Sequence, residues 1–351
     1  MDNLIAESAR FVELTPEGCA FLLFVGLVGG LVSGFIGSGG AFVLTPGMMS
    51  LGVPAPVAVA SNMCHKFPKA LVGAIKRYRY GQVDCKMGLV LGLSAEIGVQ
   101  IGVQVQKRII ELWGKAGADL YVSVAYIAVL GTVGLFVLRD AARTAGAGGA
   151  ETTSPLAARL QAIELWPMLN FPASGIRISF WFTAPVVLAA GFLAATIAVG
   201  GFAGVPGMMY VIGMTSMAAT ATELVLAFVM GLGGTLIWAW YGMVDIRLAL
   251  ILLAGSLFGV QLGAIGTTYV KAHTIKYVMA AVMLIVAVSR ILAVPGYLGA
   301  LDLLAWPQEV VRWLNGAGFA VMCLALVTAS AIILRAMFSA KGRRAALRNA
   351  R

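Results

Sequence analysis

An all-α, polytopic transmembrane helical bundle is the fold this sequence predicts, built from two homologous repeats with broken helices and one extra C-terminal span. Three observations predict it. The chain has 351 residues, 60% of them hydrophobic and only 11% charged, and it holds several apolar runs near the ~20 residues that cross a bilayer as a helix. Its second half repeats the first in register. Gly52 and Gly213, YGQVD at 80–84 and YGMVD at 241–245, and GVQIG at 98–102 and GVQLG at 259–263 all lie 161 residues apart. Glycine- and proline-rich strings also interrupt the apolar runs at matching places, GSGGAFVLTPGMM at 37–49 and GGFAGVPGMM at 200–209.

Residues 1–17 carry Asp2, Glu7, Glu13 and Glu17 against Arg10. They lack the basic start of a signal peptide, so a retained extracytoplasmic segment is expected. Repeat 1, residues 18–138, is expected to hold spans at 18–36, 55–75, 87–105 and 120–138 and a short segment at 41–52. That short segment cannot continue its neighbours as one helix, because proline removes a backbone donor and glycine weakens helix interiors. Lipid offers freed backbone groups no partners, so such a break survives only packed in protein or lining a wet cavity. Residues 139–178, including RDAARTAGAGGAETTSP, read as a polar, flexible connection, with QAIELWPML along the interface. Repeat 2, residues 179–293, has spans at 180–198, 215–238, 248–268 and 276–293 and a short segment at 202–212. Residues 294–316 read as an interfacial helix with Trp306 and Trp313 at headgroup depth. An extra span at 317–335 and a basic cytoplasmic tail at 336–351 complete the chain.

The net charge of +10 raises nucleic acid as a partner, but six basic residues fall in the last 17 positions. A cytoplasmic tail against anionic lipid accounts for them, and no nucleic-acid partner is expected. Counting back from that tail puts the YGMVDIR turn outside. The matching turn of the first half, with Lys76, Arg77, Arg79 and Lys86, falls inside. The repeats are then inverted, as in many secondary transporters, with the N-terminus outside and the C-terminus in the cytoplasm of a multi-pass inner-membrane protein. If the short segments are re-entrant hairpins instead, the repeats run parallel.

The broken segments and the helix after the first one carry the candidate site. Gly39 and Gly40, and their counterparts Gly200 and Gly201, precede short helices whose free N–H groups favour anions; close packing through small residues is the bland alternative. Ser61, Asn62, His65, Lys66 and Lys69 share one side of a helix, spanning about 140° of arc at about 100° per residue. An intramembrane lysine costs about 3 kcal/mol on the lenient insertion scale, so its place reflects a pairing or a function. Lys66 is the expected anion ligand, with Ser61 and Asn62 donating, while Lys69 could equally snorkel to the interface. The second half replaces this stripe with Thr222, Glu223, Leu226 and Ala227. Glu223 could pair with a lysine or carry a proton, and His65 is a candidate proton carrier or a satisfied interhelical hydrogen bond. Glu96, Gln100 and Gln261 are expected on the same cavity, or as polar glue between helices. Trp238, Trp240 and Tyr241 read as an interfacial aromatic belt.

A membrane enzyme or redox protein would need paired cysteines, haem-spaced histidines or a catalytic cluster. Cys19, Cys64, Cys85 and Cys323 show no paired spacing, and the histidines are His65 and His273; no metal, cofactor or catalysis is expected. The string at 37–49 is no nucleotide loop either, for Ala and Phe stand where that motif needs its lysine.

GSGGAFVLTP, the ASN at 60–62 and GGFAGVPG in the second half resemble the sulfite exporter TauE/SafE family of membrane permeases. The resemblance covers most of residues 20–290. Met63 departs from it, since the family often places lysine directly after the asparagine and this chain offers Lys66 a turn later. The central connection and the last span look like additions. What the resemblance implies is transport of sulfite, sulfate or an organosulfonate, as a secondary transporter working by alternating access. Each negative charge leaving an inside-negative cell gains about 2.3 kcal/mol per 100 mV, so export needs no coupled proton. The rivals are an anion channel and a proton-coupled importer of a different anion; oligomeric state is open, a homo-oligomer included.

Overall fold

The computed structural model describes residues 13–36, 40–146, 154–267, 272–304 and 306–349. The helices are α1 (Pro16–Ile36), α2 (Ala41–Ser50), α3 (Ala55–Tyr78), α4 (Cys85–Gly146) and α5 (Pro155–Gln161), then α6 (Phe180–Ile197), α7 (Gly201–Gly207), α8 (Ser216–Trp240), α9 (Ile246–Gly266), α10 (Ala272–Ala300) and α11 (Gln308–Asn349). A π-turn, Met208–Ile212, extends α7. Seven of these helices are long and apolar enough to cross a membrane, which makes this an all-α multi-pass membrane bundle.

The landmarks of the repeat are the places where helices stop and start. Gly52 and Gly213 have φ of 84° and 95°, and Gly81 and Gly242 have 68° and 67°. Each ends a helical segment in the left-handed conformation that glycine adopts without a Cβ clash. Asp84 then accepts from Met87 N at 2.9 Å and Asp245 from Arg247 N at 3.0 Å, satisfying free donors at the starts of α4 and α9. The YGxVD motif is thus a stop-and-start turn. Gly114, at φ 62° and ψ −160°, bends α4 into arms at 85–113 and 115–146.

The halves exchange helices. The first helix of each lies against the fourth of the other, α1 on α9 and α6 on the first arm of α4. Small residues permit this approach: a Cβ on Gly30 would lie 2.3 Å from Ser256 O, and one on Gly259 2.1 Å from Leu27 O. On the other side, a Cβ on Gly191 would lie 2.0 Å from Ala95 O and one on Gly98 2.2 Å from Leu188 O. Helix α3 crosses α8 between these pairs, and polar bonds tie the halves reciprocally. Ser61 Oγ accepts from Asp245 N at 2.9 Å, while Thr222 Oγ1 accepts from Asp84 N at 3.0 Å.

The central connection differs from the expected flexible stretch. The second arm of α4 runs to Gly146, α5 follows, and an antiparallel hairpin, β1 (Met168–Phe171) with β2 (Ile176–Ser179), pairs Met168 with Ser179. Ser174 Oγ donates to Asp84 Oδ2 at 2.7 Å and Lys86 Nζ to Asn170 O at 2.8 Å, docking the hairpin on the first YGxVD turn. Gln161 Nε2 donates to Ile212 O at 2.7 Å at the far end of the second broken segment. The expected interfacial helix at 294–316 is also absent as a separate element among the described residues. Its first part completes α10 and its last part begins α11, whose regular backbone carries on through the expected tail to Asn349.

Candidate functional site

The two breaks meet at one side chain, Tyr126 on the second arm of α4. Its hydroxyl donates to Ile197 O, the last carbonyl of α6, at 2.7 Å and lies 3.4 Å from Ala41 O, at the first residue of α2. Gly40 has φ 57° and sits so close to α1 that a Cβ would lie 2.0 Å from Gly29 O. In the second break the left-handed residue is Ala198, at φ 60°. Gly200 and Gly201 are buried there, and a Cβ on Gly200 would lie 2.5 Å from Ala190 O. Gly39 lies outside the described residues.

Asn62 is spent on structure. Its Nδ2 donates to Ala41 O at 3.2 Å and to Thr45 Oγ1 at 2.8 Å, which ties α3 to the start of α2. Its Oδ1 receives His65 Nδ1 at 3.3 Å, and His65 Nε2 faces Ser256 Oγ at 2.8 Å on α9. Ser256 Oγ in turn donates to Leu253 O at 3.2 Å within α9. His65 is therefore an interhelical bridge. Ser61 and Thr222 are likewise occupied by the Asp N–H bonds that link the halves, and Lys69 is fully buried and partnered, not snorkelled to the interface.

Lys66 and Glu223 remain. Both are fully buried, and neither Lys66 Nζ nor either Glu223 oxygen finds a hydrogen-bond partner among the described residues. The two charges interact electrostatically, yet they do not form an ion pair within 4.0 Å. Glu223 occupies the place in the second half that Asn62 holds in the first, 161 residues earlier. It presses on the second broken segment as Asn62 holds the first: a Cβ on Gly204 would lie 2.4 Å from Glu223 Oε2. A buried charge without hydrogen bonds costs several kcal/mol, so this pair is the most unsatisfied polar feature where α3 crosses α8.

The other expected members are elsewhere. Glu96 packs on Gly233 of α8, ten residues from Glu223 and so about 15 Å along the helix. Gln100 and Gln261 are exposed on the outside of the bundle. Trp238 is 1% exposed and belongs to the core, while Trp240 at 88% fits the interfacial belt.

Sequence reasoning passed over the polar contacts that hold the ends of the broken segments. Ser50 and Tyr210 each follow a PGMM string. Ser50 Oγ accepts from Arg290 Nη2 at 3.1 Å on α10. Tyr210 donates to Asp140 Oδ2 at 2.7 Å on α4, which also takes Lys276 Nζ at 2.7 Å. Each end is thus held by the last helix of the opposite half. Asp119 adds a bond from Ala55 N at 2.6 Å at the start of α3. A charged residue inside an apolar span was the available signal for Arg290.

Similarity to known proteins bears on this arrangement. The family model described as "Sulfite exporter TauE/SafE" matches residues 22–290. The chain belongs to the sulfite exporter TauE/SafE family. This TauE/SafE protein is 25% identical over 274 residues to the probable membrane transporter protein YunE of Bacillus subtilis, covering 76% of this chain and 94% of that one. Against the probable membrane transporter protein YdhB of the same organism it is 24% identical over 254 residues, 70% and 89% of the two chains. Sulfite exporter TauE/SafE family protein 3 of Arabidopsis thaliana matches at 27% over 114 residues, 31% of this chain and 24% of that protein. No solved structure matches. As a member of this family the protein is a membrane transporter and not an enzyme, and the matched region contains both breaks and the Lys66–Glu223 crossing.

Proposed function

We propose that this transporter exports a small sulfur-containing oxyanion, from the class of sulfite, sulfate and organosulfonates, across the cytoplasmic membrane by alternating access of two inverted halves. One observation carries the reading: Lys66 is fully buried, where α3 crosses α8, and its ammonium finds no hydrogen-bond partner among the described residues. An oxyanion supplies the acceptors that this group lacks. The backbone at Gly40, Gly200 and Gly201 forms the surrounding walls, and Glu223 lies across from the lysine. Ser61, Asn62, Thr222 and His65 support the site by fixing the helices that carry it. The membrane potential drives export of an anion without a coupled ion, gaining about 2.3 kcal/mol per charge per 100 mV. The basic tail rests on anionic lipid at the cytoplasmic face, and impermeant thiol labelling of cysteines placed in the two YGxVD turns checks the inverted orientation.

Binding to the folded state raises the melting temperature. Thermal unfolding of the detergent-purified protein in sulfite, sulfate, thiosulfate, phosphate and chloride therefore reads the ligand class. The expected result is an upward shift with a sulfur oxyanion, absent in Lys66→Ala. The same shift in the variant removes Lys66 from the site.

A further inference from the structure

We propose that the outward side of the first arm of α4 is a homodimer interface, in which the Gln100 amides of two copies hydrogen-bond each other across a two-fold axis. Leu93, Ile97, Gln100 and Gln104 follow one another along this arm at steps of four, three and four residues, and all four are exposed, Leu93 at 66% and Ile97 at 61%. Alternating steps of four and three mark the seam of a left-handed helix pair. An apolar groove of about 480 Å³ lies beside this seam, walled by Gln100, Ile101, Gln104, Val105 and Ile109 among others, and it offers a second copy's side chains a seat. Gln100 is the anomaly on this face. It lies one residue from the midpoint of the arm at 85–113, about 20 Å from either end at ~1.5 Å per residue, beyond reach of headgroups or water. It has no hydrogen-bond partner among the described residues, and hydrocarbon supplies none.

The polar groups around it are engaged within the chain. Glu96, one turn earlier, turns aside onto Gly233 of α8. Gln104 Nε2 donates to Tyr241 Oη at 3.3 Å, and Arg108 Nη1 donates to Glu111 Oε2 at 3.1 Å. The second half supplies a contrast. Gln261 stands 161 residues on and is exposed too, yet its Nε2 donates to Leu257 O of its own helix at 3.2 Å. Of the two equivalent glutamines it is Gln100 that is left to a second molecule, so α4 and not α9 carries the interface. Copies of a membrane protein insert in one orientation, and a two-fold axis along the membrane normal therefore sets two such arms side by side and parallel. Each seam residue then faces its own copy. A glutamine amide carries both donors and an acceptor, so two of them satisfy one another, as two lysines or two carboxylates could not. One polar position in an otherwise apolar stretch of seam also fixes the register of the pair. Nothing in this inference depends on which anion is carried.

Two measurements on the full-length protein in lipid vesicles test it. The first is oxidative cross-linking in a background with Cys19, Cys64, Cys85 and Cys323 replaced by serine. Ile97→Cys, which keeps Gln100 in place, should give a covalent dimer. Phe258→Cys, the equivalent exposed position on α9 161 residues later, should give none. The second is the dimer fraction of fluorescently labelled protein as it is diluted with lipid. The wild type should dissociate at a defined protein-to-lipid ratio, Gln100→Leu at a ratio about tenfold higher, the scale of polar contacts between membrane helices, and Gln100→Asn, which keeps an amide, close to the wild type. A wild type that is monomeric at every dilution, cross-linking at 258 as efficient as at 97, or an unchanged dimer fraction in Gln100→Leu overturns the proposal.

Discussion

At the scale of single residues, the polar stripe of α3 divides into groups that hold the protein together and one that does not. Asn62, His65 and Ser61 are bonded to α2, α9 and Asp245, whereas Lys66 Nζ has no hydrogen-bond partner among the described residues and interacts with Glu223 by charge alone. Losing one member of a buried pair of opposite charges leaves the other uncompensated, while replacing both with neutral groups of like volume is often stabilising by about 1–4 kcal/mol. In the absence of ligand, Lys66→Met and Glu223→Gln should each lower the melting temperature, and the double variant should melt above either and at or above the wild type. Additive losses in the double variant would mean that the two charges do not face one another. The stripe itself was legible, because charge in an apolar run is conspicuous. Which of its members is free was not, since that depends on Ser256 and Asp245, nearly 200 residues away in the chain. Trp238 was misread for a related reason: an aromatic near a helix end suits the interface, but in the fold it is buried in the core.

At the scale of elements, apolar run length located the helices well, and the glycine–proline strings located the breaks. What the runs could not show is how closely helices approach. The glycines at 26, 30 and 34 and at 255, 259 and 263 have four-residue spacing, a packing signal that became meaningful once α1 was seen against α9. A Cβ at Gly30 or Gly191 falls within 2.3 Å of a backbone carbonyl on the facing helix, whereas one at Gly131 meets nothing within 4 Å. Overpacking of this kind costs about 1–3 kcal/mol or more. Gly30→Val and Gly191→Val should therefore both lower the melting temperature and the yield of folded protein, with Gly131→Val close to wild type. Equal behaviour of all three would refute the exchanged packing. The hairpin at 168–179 and the bend at Gly114 were missed because short strands and single-residue bends leave little trace in hydropathy.

At the scale of the whole molecule, the pieces compose a two-part machine with a shared centre. Tyr126 joins the breaks, the Ser61–Asp245 and Thr222–Asp84 bonds tie the halves reciprocally, and Arg290 and Asp140 hold the outer ends of the broken segments. The proposed alternating access would require these end contacts to break on one side of the crossing. The constant 161-residue offset is plain in the sequence; the packing of α1 on α9 and of α6 on α4 was not, because no pattern along one chain says which helix another will pack against. The most direct test of the central claim, that a free buried lysine at the crossing binds the transported anion, is counterflow of radiolabelled sulfite in proteoliposomes. The account predicts that wild-type vesicles preloaded with unlabelled sulfite accumulate label transiently and saturably, and that Lys66→Ala vesicles do not. Linear, non-saturating flux without counterflow, or full counterflow in Lys66→Ala, would contradict it.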